Sequence, residues 1–293
     1  MSKGSVSSAD ARERARQLAA QQAKKSSKSS TRWIQLTVLA VVLLIVGIIA
    51  VVVVNGNKNQ IAESGPVPAS ANQYGGIVLT ADGIKQNTST EETRDVNNLG
   101  ESENKYTNAE GAEVAMPLGV ATAEEAENNG EPVRVTVFQD YDCVHCAQFE
   151  TQYGDEVEEL VKSGKITLEV RNLTFLDASS PSFYSARTNN VAFAVAEQVS
   201  SEQFLEFQKE IFSHQGTGGL SNEELVDIAS KYGADVQGAV SDNTWRPFVN
   251  VVTMESSTNG ISGTPTIFAD GEQFTASDFS SWINQKIDAK ESN

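Results

Sequence analysis

Cysteine is almost absent from this chain of 293 residues: there are two, Cys143 and Cys146. A small disulfide-stapled scaffold needs several pairs, so that class is excluded. Histidine is as rare, with only His145 and His214. A structural zinc site takes four nitrogen or sulfur ligands, and a chain whose one nearby histidine is wedged between its only cysteines offers no such set. Positive charge is scarce as well. Against 39 Asp and Glu stand 22 Lys and Arg, a formal net charge of -17. An acidic body repels phosphates, which argues against nucleic-acid binding. Aromatic residues are few in the first half, so a sizeable core belongs to the second.

The few cations are unevenly placed. Lys3, Arg12, Arg14, Arg16, Lys24, Lys25, Lys28 and Arg32 lie in the first 32 residues, against only Asp10 and Glu13. Trp33 to Val54 then runs without a charge, broken only by the polar Gln35 and Thr37. About 20 apolar residues span the hydrocarbon layer as a helix. The basic flank precedes the run, so the positive-inside rule puts residues 1–32 in the cytoplasm and the rest of the chain outside. A single-pass anchor in the cell membrane is expected at 33–54, with the bulk of the chain extracytoplasmic. Outside the cytoplasm no glutathione pool keeps a thiol pair reduced.

Residues 55–113 are rich in Asn, Ser, Gly, Thr and Glu, and read as a linker and N-terminal extension. Within it Gly76 to Thr80 has strand character. The globular domain is expected at 114–293. Val133 to Phe138 is a β-branched run suited to a buried central strand. Phe149, Tyr153, Val157 and Leu160 recur at helical spacing, and Gly164 beside Lys162 and Lys165 marks that helix's end. Ile166 to Val170 is a second strand. Strand, helix, strand makes a βαβ unit, so the two strands should be parallel. Helices are expected through about 178–258, two of them opened by the capping boxes Ser200-x-x-Gln203 and Ser221-x-x-Glu224. Thr266 to Ala269, a turn at Asp270-Gly271, Glu272 to Phe274 and a helix through Phe279, Trp282, Ile283 and Ile287 close the chain.

Two cysteines three apart at a helix start sit one turn from each other and can form a disulfide without disrupting the helix. The first thiol is expected to be exposed and the second shielded. Free N–H groups and the positive end of the macrodipole favour a thiolate at Cys143, making it a nucleophile and a good leaving group. Cys146 would then resolve the mixed disulfide. His145, when protonated, would add positive charge close by, and Val144 occupies the other tuning position. A purely structural bond gains little chain entropy from so small a loop. Downstream, Gly263-Thr264-Pro265-Thr266 leads into a strand whose start lies beside the cysteines in such an architecture. A cis peptide there would turn the Thr264 backbone towards the sulfurs, free to pair with an extended substrate segment. Asp140, Asp142 and Glu150 are read as solvated surface acids.

FQDYDCVHCAQFE followed by GISGTPTIF resembles the DsbA-like branch of the thioredoxin superfamily, and in particular its membrane-anchored actinobacterial members. The resemblance spans roughly Pro132 to Ile287. It implies an α/β thioredoxin-like fold with a helical insertion, preceded by one transmembrane helix. It further implies Cys143 as attacking thiol, Cys146 as the buried one, His145 as tuning residue and Pro265 as a cis-proline contacting substrate with Thr264. The chain departs from the family in Val144, where proline is frequent, and in Val137, where a buried acid is known. The implied activity is disulfide formation in exported proteins bearing cysteine thiols. No cofactor motif is present, so reoxidation is expected from a partner, by resemblance a quinone-linked membrane protein. Two rivals remain: a reductase or isomerase of the same fold, and a tethered binding module with a structural disulfide.

Overall fold

The β-branched run Val133–Asp140 (β7) and its neighbour Ile166–Leu173 (β8) form the centre of a six-stranded sheet. They pair in parallel, Val135 opposite Leu168 and Val137 opposite Val170, as the βαβ reading requires. This is a computed structural model describing residues 61–108, 111–127 and 130–292. The basic segment 1–32 and the apolar run 33–54 lie outside the described residues. Among the described residues no helix is long and apolar enough to cross a membrane.

The remaining strands are Ser64–Pro66 (β1), Gly76–Thr80 (β2), Gly83–Ile84 (β3), Thr93–Asp95 (β4), Lys105–Thr107 (β5), Glu113–Ala115 (β6), Thr266–Ala269 (β9) and Glu272–Gln273 (β10). The helices are Ala123–Ala126 (α1), Val144–Lys162 (α2), Tyr184–Ala196 (α3), Ser201–Ser213 (α4), Asn222–Lys231 (α5), Gln237–Asp242 (α6), Arg246–Thr258 (α7) and Phe279–Glu291 (α8). A short 3-10 turn, Phe175–Ser179, leads into α3. The sheet order is β10-β9-β7-β8-β2-β3, with β9 antiparallel to β7 and β2 antiparallel to β8.

Alternation along β7 and β8 serves two buried faces. Val137, Leu168 and Val170 meet Phe149 and Val157 of α2 and Leu205 of α4. The same face of α2 reaches α8, where Phe149 and Phe279 stack edge-on with ring centres 5.0 Å apart. Each such side chain removed from water contributes about 1.5–3 kcal/mol. The opposite face carries charge. Glu169, fully buried, pairs with Arg134 and Arg171 and accepts a 2.9 Å hydrogen bond from Asn72. The Arg171 guanidinium lies 5.2 Å from the Phe138 ring centre and 5.6 Å from that of Tyr74. Burial alone would raise the Glu169 pKa, but the two arginines hold it down at about 2.

The capping boxes at Ser200 and Ser221 form as the sequence indicates. The sheet, however, draws on chain ahead of residue 114, because β2 pairs with β8 from Gly76 to Leu79. Residues 61–113, read as linker and extension with one strand at Gly76–Thr80, take part with 114–127 in three short strand pairings, and a capped turn of helix follows. β1 pairs with β4, β5 with β6, and Thr122 and Glu125 form a capping box. Their order comes from side chain–backbone hydrogen bonds, such as Asn72 to Tyr74 and Gly76, rather than from an apolar period. Composition alone does not reveal such bonds.

Candidate active site

β7 ends at Asp140, and four residues later α2 begins, so the cysteines fall at the strand-to-helix turn. Cys143 is the N-cap of α2 in an extended conformation, and its N–H donates to the Asp140 carbonyl at 3.0 Å. Cys146 lies in the first turn, and both thiols are free. Among the described residues, the peptide between Thr264 and Pro265 is the single cis bond, and β9 starts immediately after it. The Cys143 sulfur lies 3.3 Å from the Thr264 carbonyl oxygen, within donating distance when the thiol is protonated. The structure therefore brings Cys143, Cys146, Thr264 and Pro265 together.

The electrostatics separate the two thiols. Cys143 has its pKa lowered to about 5, chiefly by the Cys146 thiol donating to its sulfur. Burial opposes this, while the Thr264 hydroxyl and the backbone N–H groups of Cys146 and His145 add to it. Those N–H groups are the free donors of the helix start. Cys146 is pushed in the other direction, first by its bond to Cys143 and then by burial. The arrangement favours a thiolate at Cys143 and retention of the proton at Cys146.

The expectations for Cys143, Asp140 and Glu150 need correction. Cys143 is not an exposed thiol: it is 5% exposed, against 2% for Cys146. Its sulfur lies against the Thr264 carbonyl, and the residue belongs to the buried core. The exposed apolar residue is Val144, at 46%. Nor is Asp140 a solvated acid. It is fully buried and accepts hydrogen bonds from the Asp142 N–H at 2.9 Å, the Leu176 N–H at 3.0 Å and the Ser185 hydroxyl. Burial lifts its pKa to about 6 in spite of those donors. Asp140 ties the turn before Cys143 to the helical insertion, and an acid closing a buried strand was its only trace in the sequence.

His145 is exposed, and its Nδ1 lies 3.1 Å from Gln148 Oε1. Its backbone N–H is among the donors that favour the Cys143 thiolate. Glu150, one turn beyond Cys146, is half-buried over a cavity of about 20 Å³ lined also by Val137, Gln139 and Gln208. Burial raises its pKa to about 7, opposed by Lys209. The cavity wall at Val137 is apolar, and the acid nearby comes from the helix.

The thioredoxin family model matches residues 128–289, more than half of the chain. The chain belongs to that family. Among solved structures it is similar to reduced DsbA from Mycobacterium tuberculosis, at 22% identity and a TM-score of 0.49, covering 61% of this chain and 92% of that one. It is similar to the DsbG oxidoreductase of the same organism, at 23% identity and a TM-score of 0.49, covering 59% and 86%. MdbA, a thiol-disulfide oxidoreductase from Corynebacterium diphtheriae, follows at 20% identity and a TM-score of 0.48, covering 59% and 92%. No curated protein sequence matches the chain.

Proposed function

We propose that this chain is a membrane-tethered, extracytoplasmic thiol–disulfide oxidoreductase that forms disulfide bonds in exported proteins. One observation carries the reading: a thiolate at Cys143 with pKa about 5, beside a thiol that keeps its proton and under the Thr264–Pro265 turn. A thiolate so stabilised favours the dithiol form, which makes the corresponding disulfide oxidising.

The exchange starts from the Cys143–Cys146 disulfide. A substrate thiolate attacks Cys143, forming a mixed disulfide and expelling Cys146, which takes up a proton. A second substrate thiolate attacks the substrate sulfur of that bond and expels Cys143 as its stable thiolate. The substrate loses two electrons and two protons, of which one goes to Cys146 and the other to solvent, and the enzyme is left reduced, as the Cys143 thiolate beside the Cys146 thiol. Thr264 offers its backbone to an extended substrate segment, with Pro265 and the exposed Val144 as apolar flank. His145 tunes the pair through its N–H. Reoxidation falls to a membrane redox partner, for which a quinone-linked protein is the proposed class. The uncharged run at 33–54 supports the tether, and its basic flank supports an extracytoplasmic catalytic domain.

The test is the equilibrium of Cys143–Cys146 in the full chain across glutathione buffers of graded poise. A pair reduced even in fairly oxidising buffer is the expected result. A pair that exchanges fast but stays oxidised until strongly reducing buffer points to a reductase. One that barely exchanges points to a structural bond and overturns the proposal.

A further inference from the structure

Residues 61–127 lie ahead of the region matched by the family model, yet part of this extension lies against β9, the strand that follows Pro265. Three contacts grip that strand. The Tyr106 ring meets Phe268 of β9 edge-on, with centres 5.0 Å apart. Beyond β9, the turn at Gly271 comes so near the extension that a Cβ there would lie 2.5 Å from Ala123 N and 2.6 Å from Ala121 O. Before β9, Gly260 has a φ of 89°, and a Cβ would lie 2.4 Å from the Ala115 carbonyl oxygen. Both glycines are required by close backbone approach.

The fourth contact is polar and sits where the chain leaves α7 for the active site. Asn259, only 2% exposed, is the C-cap of α7. Its Oδ1 accepts the Ser102 N–H at 2.7 Å, and its Nδ2 donates to the Gly100 carbonyl at 2.8 Å and the Glu255 carbonyl at 2.9 Å. The Gly100 N–H returns a 2.7 Å bond to the Glu255 carboxylate, which also pairs with the buried Arg94. Four residues separate Asn259 from Thr264. Of these, Ser262 and Gly263 are exposed, and Ile261 is the one buried side chain. So short a loop takes its position from its anchors.

We propose that Asn259 is a positioning residue for the active site, and that the extension is the brace through which it acts. Held to Gly100 and Ser102, Asn259 fixes residues 260–264, and so sets Thr264 against the Cys143 sulfur. This rests on the exchange function proposed above. Displacing Thr264 removes its hydroxyl from the thiolate, and a charge-assisted bond is sensitive to small shifts.

The experiment uses the reduced full chain with Asn259→Ala, Thr264→Val and the double variant. Thiolate absorbance at 240 nm is followed against pH, alongside the glutathione equilibrium and thermal unfolding. Asn259→Ala is expected to raise the Cys143 midpoint by about one unit and to shift the glutathione equilibrium about tenfold towards the disulfide. In the Thr264→Val background it should add nothing to the midpoint, because the effect passes through Thr264. Ser102→Pro, which removes only one donor to Asn259, should give a smaller shift of the same sign should Asn259→Ala fail to fold. A purely structural Asn259 would lower the melting temperature with the midpoint unmoved, and that result overturns the inference while leaving exchange intact. Simple addition of the two shifts overturns it as well. A wild-type chain with an ordinary thiol midpoint and no exchange removes the proposed function and this inference with it.

Discussion

Removing the Cys146 thiol takes away the donor that contributes most to the low pKa of Cys143. A hydrogen bond to a charged group is worth roughly 1.5–3 kcal/mol, and one pKa unit corresponds to about 1.4 kcal/mol. In Cys146→Ala the Cys143 midpoint should therefore rise by about one to two units from its starting value of about 5. It should stay below the ordinary thiol value of about 8.5, since the backbone N–H groups of residues 145 and 146 survive the substitution. Cys146→Ser keeps an O–H donor, so its rise should be smaller. The assay is absorbance at 240 nm against pH, and each variant has one thiol, so the assignment is unambiguous. The redox consequence follows from the same figures. At pH 7 a thiol ionising near 5 stabilises the reduced form by about 2.7 kcal/mol over an ordinary one, roughly 60 mV towards the oxidising side. A wild-type midpoint between 8 and 9, or an alanine variant that titrates where the wild type does, would refute the reasoning.

Glu150→Gln tests the half-buried acid: its carboxyl holds a proton more tightly folded than unfolded, so the native protein loses stability as pH rises from about 4.3 to about 7. The glutamine variant should be more stable by about 1–3 kcal/mol at pH 8 and no more stable at pH 4, and urea unfolding at both values decides it; a gain independent of pH would count against it. Glu169→Ala strands two arginines on the sheet face and should cost about 3–5 kcal/mol. Because Glu169 is held at about 2, the wild-type advantage should be complete above about 4.3 and fade as pH falls towards 2, which acid titration of the unfolding midpoint can follow. Val144→Pro places proline at the first helical position, where its ring fits and its N–H is not needed. The melting temperature should move by no more than about 2 °C, while the glutathione equilibrium shifts; unfolding of the variant would show that the turn depends on that N–H.

What could be read from the chain was what repeats or punctuates. The β-branched run at Val133, the spacing of Phe149, Tyr153, Val157 and Leu160, and the boxes at Ser200 and Ser221 each encode local geometry, and each formed. The cysteine pair and Thr264-Pro265 were legible as local motifs, and the fold brings them together. Asn259 was not, since its value lies in reaching Gly100 and Ser102 across more than 150 positions of sequence. Buried charge was equally hidden. Glu169 and Arg171 look like the polar side of a half-exposed strand, and only the second layer, with Tyr74 and Asn72 over them, turns that side inward. Asp140 follows the same logic: an acid beside a turn is usually wet, and the insertion that covers it arrives later in the chain.

The order of the strands also sets an order in time. Chain made from its N-terminus presents Cys143 well before Thr264, which lies 121 positions further on. β2 waits for β8, and β7 completes its second edge only when β9 emerges near the C-terminus. Such long-range pairings form slowly. Until Thr264 is made, the Cys143 sulfur lacks the partner that lies 3.3 Å from it in the folded chain. The arrangement around the thiols is completed by the last elements to be synthesised, and a truncated product would hold both cysteines without Thr264 beside them.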